Sequence, residues 1–176
     1  MDENGPFFAF VSFPDPHHPF NPPGKYWDMY RPDEFSVNLP YGAHENPIPP
    51  MEHANQIWEA GEMPPISQSA FMADDQQIRE AMALTAGMIT MIDDQIGRIV
   101  KSLKDSGHYE NTVIIFTSDH GDYLGDFNML LKGPLQLPSI TRVPMIWSDP
   151  KSRAAVLTEA MASTIDVSAS ILDRAG

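Results

Sequence analysis

The chain of 176 residues is 42% hydrophobic and 20% charged, which is enough apolar material for a buried core and unlike a disordered chain. Its formal charge of −13 argues against nucleic acid and against an anionic membrane as partners, since both are bound through clustered Lys and Arg. The absence of cysteine removes disulfide scaffolds, Cys-zinc sites and a thiol nucleophile. No apolar run approaches the length of a membrane span, and Met-Asp-Glu-Asn-Gly is not the basic start of a signal peptide. The expectation is a soluble globular chain.

In chain order, the first element is the apolar run Phe7-Phe8-Ala9-Phe10-Val11-Ser12-Phe13, read as a buried strand. A proline-rich stretch comes next. Thirteen of the 17 prolines lie between Pro6 and Pro65, where ten acids face only Lys25 and Arg31. Proline removes backbone donors and clashes with the preceding turn, so long helices are not expected there. Tyr26, Trp27, Tyr30, Phe35, Tyr41 and Trp58 punctuate the stretch, which reads as an ordered, irregular excursion packed on a scaffold. Residues 74–104 form the clearest helix, with Ile78, Met82, Thr85, Ile89, Ile92, Ile96, Ile99 and Leu103 recurring at steps of four and three. Asp74 and Asp75 suit its positive start, Lys101 and Lys104 suit its end, and Ser106-Gly107 stops it.

Thr112-Val113-Ile114-Ile115-Phe116-Thr117 is a second buried strand, and Val143-Pro144-Met145-Ile146-Trp147 a third and weaker one. A last helix over 164–174 takes Thr164 as N-cap and sets Ile165, Ala169 and Leu172 on one face. Strand, crossover, helix, strand is the grammar of an α/β fold with a parallel sheet, covered on both faces. Three stretches organise the chain: 1–20 as strand and His loop, 21–73 as the excursion, and 74–176 as the long helix, the second strand and the later elements.

In such sheets ligands gather beyond the carboxyl ends of the strands. The first strand runs into Pro14-Asp15-Pro16-His17-His18-Pro19-Phe20, and the second into Ser118-Asp119-His120-Gly121-Asp122, with Lys132 beyond. An Asp-His pair before a turn glycine places a carboxylate and an imidazole within reach of one divalent ion. Carboxylates favour calcium, magnesium or manganese, and extra imidazoles shift the preference toward zinc. The plainer reading is a capping Asp beside a surface His. His17-His18 reads either as a solvated turn or as a proline-fixed pair facing a ligand. Lys132 is either a loop cation or a point charge for a sulfate or phosphate oxygen. Asp122 and Asp126 read as solvated carboxylates and Arg142 as structural. Tyr26, Trp27 and Tyr30 pack the excursion or line a cleft.

Thr117-Ser118-Asp119-His120-Gly121-Asp122-Tyr123-Leu124-Gly125-Asp126, then Lys132-Gly133-Pro134, closely resembles the metal and substrate segment of the type I sulfatases, in the alkaline-phosphatase-like superfamily. Phe10-Val11-Ser12-Phe13 with His17-His18-Pro19-Phe20 resembles that family's His-x-Pro-aromatic loop. Ile92-Asp93-Asp94-Gln95-Ile96-Gly97-Arg98-Ile99, Arg142-Val143-Pro144-Met145 and Asp166-Val167-Ser168-Ala169-Ser170-Ile171-Leu172 resemble the flanking segments. The likeness runs through nearly the whole chain in the family's order. It implies a partial alkaline-phosphatase-like α/β/α sandwich with a mostly parallel sheet.

By that resemblance Asp119 is a ligand of a divalent cation, usually calcium, with magnesium or manganese as alternatives. His120 is a further ligand or a contact to the ester oxygen. Lys132 neutralises a sulfate oxygen, and His17 meets the leaving-group side, with His18 at the variable position. Catalytic and substrate-binding roles therefore fall on His17, His120 and Lys132. Phe127-Asn128 stands where many relatives carry a His after the Leu-Gly-Asp step. The family nucleophile, a formylglycine made within Cys/Ser-x-Pro-x-Arg, has no counterpart here, nor do the paired aspartates that complete the metal site.

The chain thus reads as the central part of a sulfatase, inactive alone, with formylglycine and any signal peptide expected in a missing N-terminal part. The parent would act on a sulfated small molecule or sugar. Missing sheet neighbours would leave apolar edges open to self-association. A phosphonate or phosphate ester hydrolase of the same superfamily, or a non-catalytic metal-binding or interaction domain on the same scaffold, are the alternatives.

Overall fold

The computed structural model describes residues 5–63 and 69–176. Residues 1–4, and 64–68 of the excursion with Pro64 and Pro65, lie outside the described residues. The elements are α1 (Pro49–Glu59), β1 (Phe71–Met72), α2 (Asp75–Asp105), β2 (Ile114–Thr117), β3 (Met129–Leu130), α3 (Pro138–Thr141), β4 (Met145–Ser148) and α4 (Thr164–Ala175).

Helix α2 organises the molecule. Asp74 accepts from the Gln77 backbone N–H at 2.8 Å, and the Gln77 side chain accepts from the Asp74 N–H at 3.1 Å. This reciprocal cap satisfies two otherwise orphaned donors. Ile78, Ala81, Thr85, Met88 and Ile92 are buried at helical spacing, whereas Ile99 is exposed beyond them. The helix stops at Ser106, and Gly107 has φ 76.

The excursion lies along this helix, as expected. Its two tight turns, Gly24–Tyr26 and Pro32–Glu34, pack on α2. The Tyr26 hydroxyl donates to Asp94 at 2.6 Å, Lys25 pairs with the same carboxylate at 2.9 Å, and the Tyr30 and Thr90 hydroxyls bond at 2.8 Å. A Cβ on Gly87 would lie 2.3 Å from the Tyr26 carbonyl oxygen, so the excursion approaches as closely as a bare backbone allows. Tyr26 and Tyr30 are thus packing residues. Helix α1 starts on Pro49-Pro50, where missing N–H groups cost nothing.

The strands pair as β1 with β3 (Phe71↔Leu130, Met72↔Met129) and β2 with β4 (Ile114↔Ser148 to Thr117↔Met145), both antiparallel. Two neighbouring clusters form the core. One holds Met51, Met72, Tyr123, Met129 and Ile140, and the other Ala73, Ile78, Ala81, Leu130 and Leu131.

Three sequence expectations change. Residues 7–13 join no ladder among the described residues, and Phe8 and Phe10 are 73% and 84% exposed. The parallel pairing expected of that run with β2 is therefore not present, because a ladder needs a neighbour and β2 takes β4 instead. Strand β2 is half-buried rather than covered on both faces. The last helix is capped by Ser163 rather than Thr164, the Ser163 N–H donating to Asp166 at 2.8 Å. Its inner face is Val167, Ser170, Ile171 and Arg174, leaving Ile165 and Leu172 outside. The bidentate bond of Arg174 to Asp149, at 2.7 and 3.3 Å, sets that rotation.

Candidate active site

Residues 118–132 leave β2, turn back under the core and return through β3. The turn at Gly121 is pressed against α3: its N–H donates to the Ile140 carbonyl at 2.9 Å, and a Cβ there would sit 1.9 Å from the Ser139 oxygen. Tyr123 is buried, receives the Leu135 N–H on its hydroxyl at 3.1 Å, and its own N–H donates to Leu131 at 2.8 Å. Leu124, Phe127, Asn128 and Leu131 take positive φ of 40, 54, 60 and 66°. These residues are held against their local preference by this packing.

Asp119 and His120 stand at the mouth of the turn. The Asp119 carboxylate accepts the His120 backbone N–H at 2.9 Å. Burial pushes its carboxyl up, but that N–H and the imidazole outweigh it, holding the group below the usual carboxylate range. His120 Nδ1 lies 2.7 Å from the Gly121 carbonyl, a pure acceptor, so Nδ1 carries the proton. The Nε2 lone pair is then free, 3.6 Å from Asp119 Oδ2. A backbone carbonyl fixing one imidazole tautomer is how proteins present a metal-ligating His. The donor set is thus right in kind for a divalent cation. It is short in number: among the described residues no third His, Asp or Glu joins to make a ligand cluster.

Lys132 is half-buried at the end of the return segment. Its charge reaches two groups from separate parts of the chain. His18 is held below its ordinary value by burial first, then by His17 and Lys132. Asp122 is pushed up by burial, against the Leu124 and Leu131 N–H groups, Lys132 and His120. The His loop reaches this place through Phe20, which packs on the cluster holding Leu130 and Leu131. His17 is exposed and stacks on His18 at 4.0 Å, its Nδ1 bonding the His18 carbonyl at 2.7 Å. The structure therefore gathers Asp119, His120, Lys132 and the His17-His18 loop, with His18 the ring that feels the lysine. Arg142 is exposed at the end of α3.

Two residues gain weight over the sequence reading. Asp122 is half-buried and accepts the Leu124 N–H at 2.9 Å, so it is a strut of the turn rather than a solvated carboxylate. Asn128 accepts the Tyr41 N–H at 2.8 Å and donates to the Ala73 carbonyl at 3.2 Å and Asp75 at 3.1 Å, tying the excursion and α2 to the loop. Its signal was an Asn, which tolerates left-handed backbone, just before a Met-Leu-Leu run.

The chain matches the Sulfatase family over residues 1–176. It is 35% identical over 150 residues to an arylsulfatase of Clostridium perfringens, a span of 85% of this chain and 29% of that protein. It is 33% identical over 180 residues to the multifunctional alkaline phosphatase superfamily protein PehA of Trinickia caryophylli, covering 97% of this chain and 34% of the relative. Among solved structures, the phosphonate monoester hydrolase of Agrobacterium radiobacter superposes with a TM-score of 0.65 at 31% identity, over 85% of this chain and 30% of that one. The chain spans about a third of the length of these relatives. On this match along its whole length, in an alkaline-phosphatase-like α/β framework, the chain belongs to the sulfatase family.

Proposed function

We propose that this chain is the portion of a sulfate-ester hydrolase that carries the substrate lysine, the His loop and part of the metal site. The observation that supports it best is the meeting of Lys132 with His18, from loops more than a hundred residues apart, beside Asp119 and His120. A transferring sulfuryl group develops charge on its oxygens, and preorganised cations placed there lower the barrier. Lys132 takes that role, His17 meets the leaving alcohol, and Asp119 and His120 are two ligands of a divalent cation, calcium foremost. When bound, that cation supplies further positive charge at the reacting centre. A formylglycine nucleophile and the remaining ligands belong to polypeptide beyond these residues, so the chain alone is expected to be silent.

The surface supports this partial reading. The chain exposes 12443 Å², whereas a compact monomer of 19.6 kDa is expected to expose about 8,600 Å². The excess fits apolar edges made to be covered, and predicts self-association of the isolated chain.

The phosphonate monoester hydrolase superposition favours a second reading, an ester of phosphonate or phosphate, by the same cation-and-lysine logic. Expressing the whole reading frame and assaying an aryl sulfate against an aryl phosphonate separates them. Faster sulfate hydrolysis, lost in Lys132→Ala, is the expected result; a clear phosphonate preference overturns the sulfatase reading.

A further inference from the structure

A groove of about 230 Å³ lies between α1 and β1, apart from the polar site. Ala54, Ile57, Trp58, Ala70, Phe71 and Met72 line it. Two of these residues lead directly to the reacting end. Ala70 faces Gly133, whose Cβ, if it had one, would lie 3.6 Å from the Ala70 methyl, and Gly133 is the residue after Lys132. Phe71 packs on the cluster of Leu130 and Leu131 that also seats Phe20, two residues beyond His18. One wall of the groove is therefore built from the same segments that bring Lys132 and the His loop together.

The chemistry of the lining selects its occupant. Its walls are aliphatic and aromatic, with Trp58 offering an indole face that is 40% exposed. A flat ring gains from both area burial and stacking on such a face. An apolar cavity of about 150 Å³ already suffices to hold benzene, so a single ring fits here. Glu62, on the lining, and the net charge of −13 both oppose a second anion in the groove. A sugar, whose hydroxyls need partners all round, would leave them unpaired against Ile57 and Met72.

We infer that the α1–β1 groove is the subsite for the leaving alcohol, and that this alcohol is a neutral, flat apolar ring, so the ester is an aryl ester. This rests on Lys132 holding the sulfate, as proposed above. The test is an NMR titration of the chain with phenol, methyl sulfate and phenyl sulfate, read at the Trp58 indole N–H. Phenol and phenyl sulfate shift that signal, methyl sulfate does not, and phenyl sulfate binds about tenfold tighter than methyl sulfate. Trp58→Ala removes the tenfold advantage and leaves methyl sulfate binding unchanged. Ala54→Leu, which narrows the groove from the other wall, does the same and guards against a folding effect of the first variant. Lys132→Ala weakens both sulfates and spares phenol. Equal affinity for the two sulfates, both still dependent on Lys132, overturns the groove assignment alone. Sulfate binding indifferent to Lys132→Ala overturns the reading of the lysine, and is recognised by a phenol response that persists without it.

Discussion

The two sides of this molecule treat the same kinds of residue differently. On the side of α1, β1, β3 and the first half of α2, Ile78 and Met88 are fully buried and Tyr123 is 2% exposed. On the side of β2, β4 and α4, Ile146 is 58% and Leu172 73% exposed. Hydropathy does not separate the two sets, since both are runs of large apolar side chains at regular spacing. Burial comes from having a partner. The excursion and residues 118–132 cover the first side, while nothing in the described chain covers the second. The candidate site is built on the covered side, where residues at positive φ need packing to hold them.

The contrast breaks most sharply under truncation of core side chains. Ile78→Ala is expected to cost about 2–5 kcal/mol, while Leu172→Ala on α4 stays within about 0.5 kcal/mol, both by urea denaturation. Comparable costs at the two positions would erase the distinction between the sides. Gly121→Ala comes next, at about 1–3 kcal/mol, because its Cβ meets backbone rather than a yielding side chain. Amide shifts confined to residues 118–125 and to α3 would locate that damage. Tyr123→Phe should cost about 1–2 kcal/mol by leaving the buried Leu135 N–H without its acceptor.

The smallest effect falls on the exposed side. The Arg174 side chain first, then the Lys151 backbone N–H, hold the Asp149 carboxyl down to about 2. Its unfolded value is about 3.9, so this contact stabilises the chain above that pH and is lost as pH falls toward 2. Detachment of α4 over that window, absent in Asp149→Asn, is the expected signal in pH-dependent NMR spectra.

Legibility in the sequence divides along the same line. Helix α2 is visible in its apolar period and its Asp74 cap, because both are local. The packed excursion is visible in its aromatics. Asp119, His120 and Lys132 stand out because a strand end concentrates them in one short stretch. The fate of residues 7–13 is not legible, since whether an apolar run becomes a strand depends on which neighbour reaches it. The rotation of α4 depends likewise on a distant Asp149. Asp122 and His18 are hidden for a related reason: their environments are made by Lys132, which is brought to them by a loop of improbable backbone geometry.

The function proposed for this chain requires residues 118–132 to be an assembled part of a cation-and-anion site rather than a surface turn. Calorimetric titration of the chain with calcium tests this most directly. Weak binding that Asp119→Ala abolishes is the predicted result, and calcium affinity that survives Asp119→Ala contradicts it.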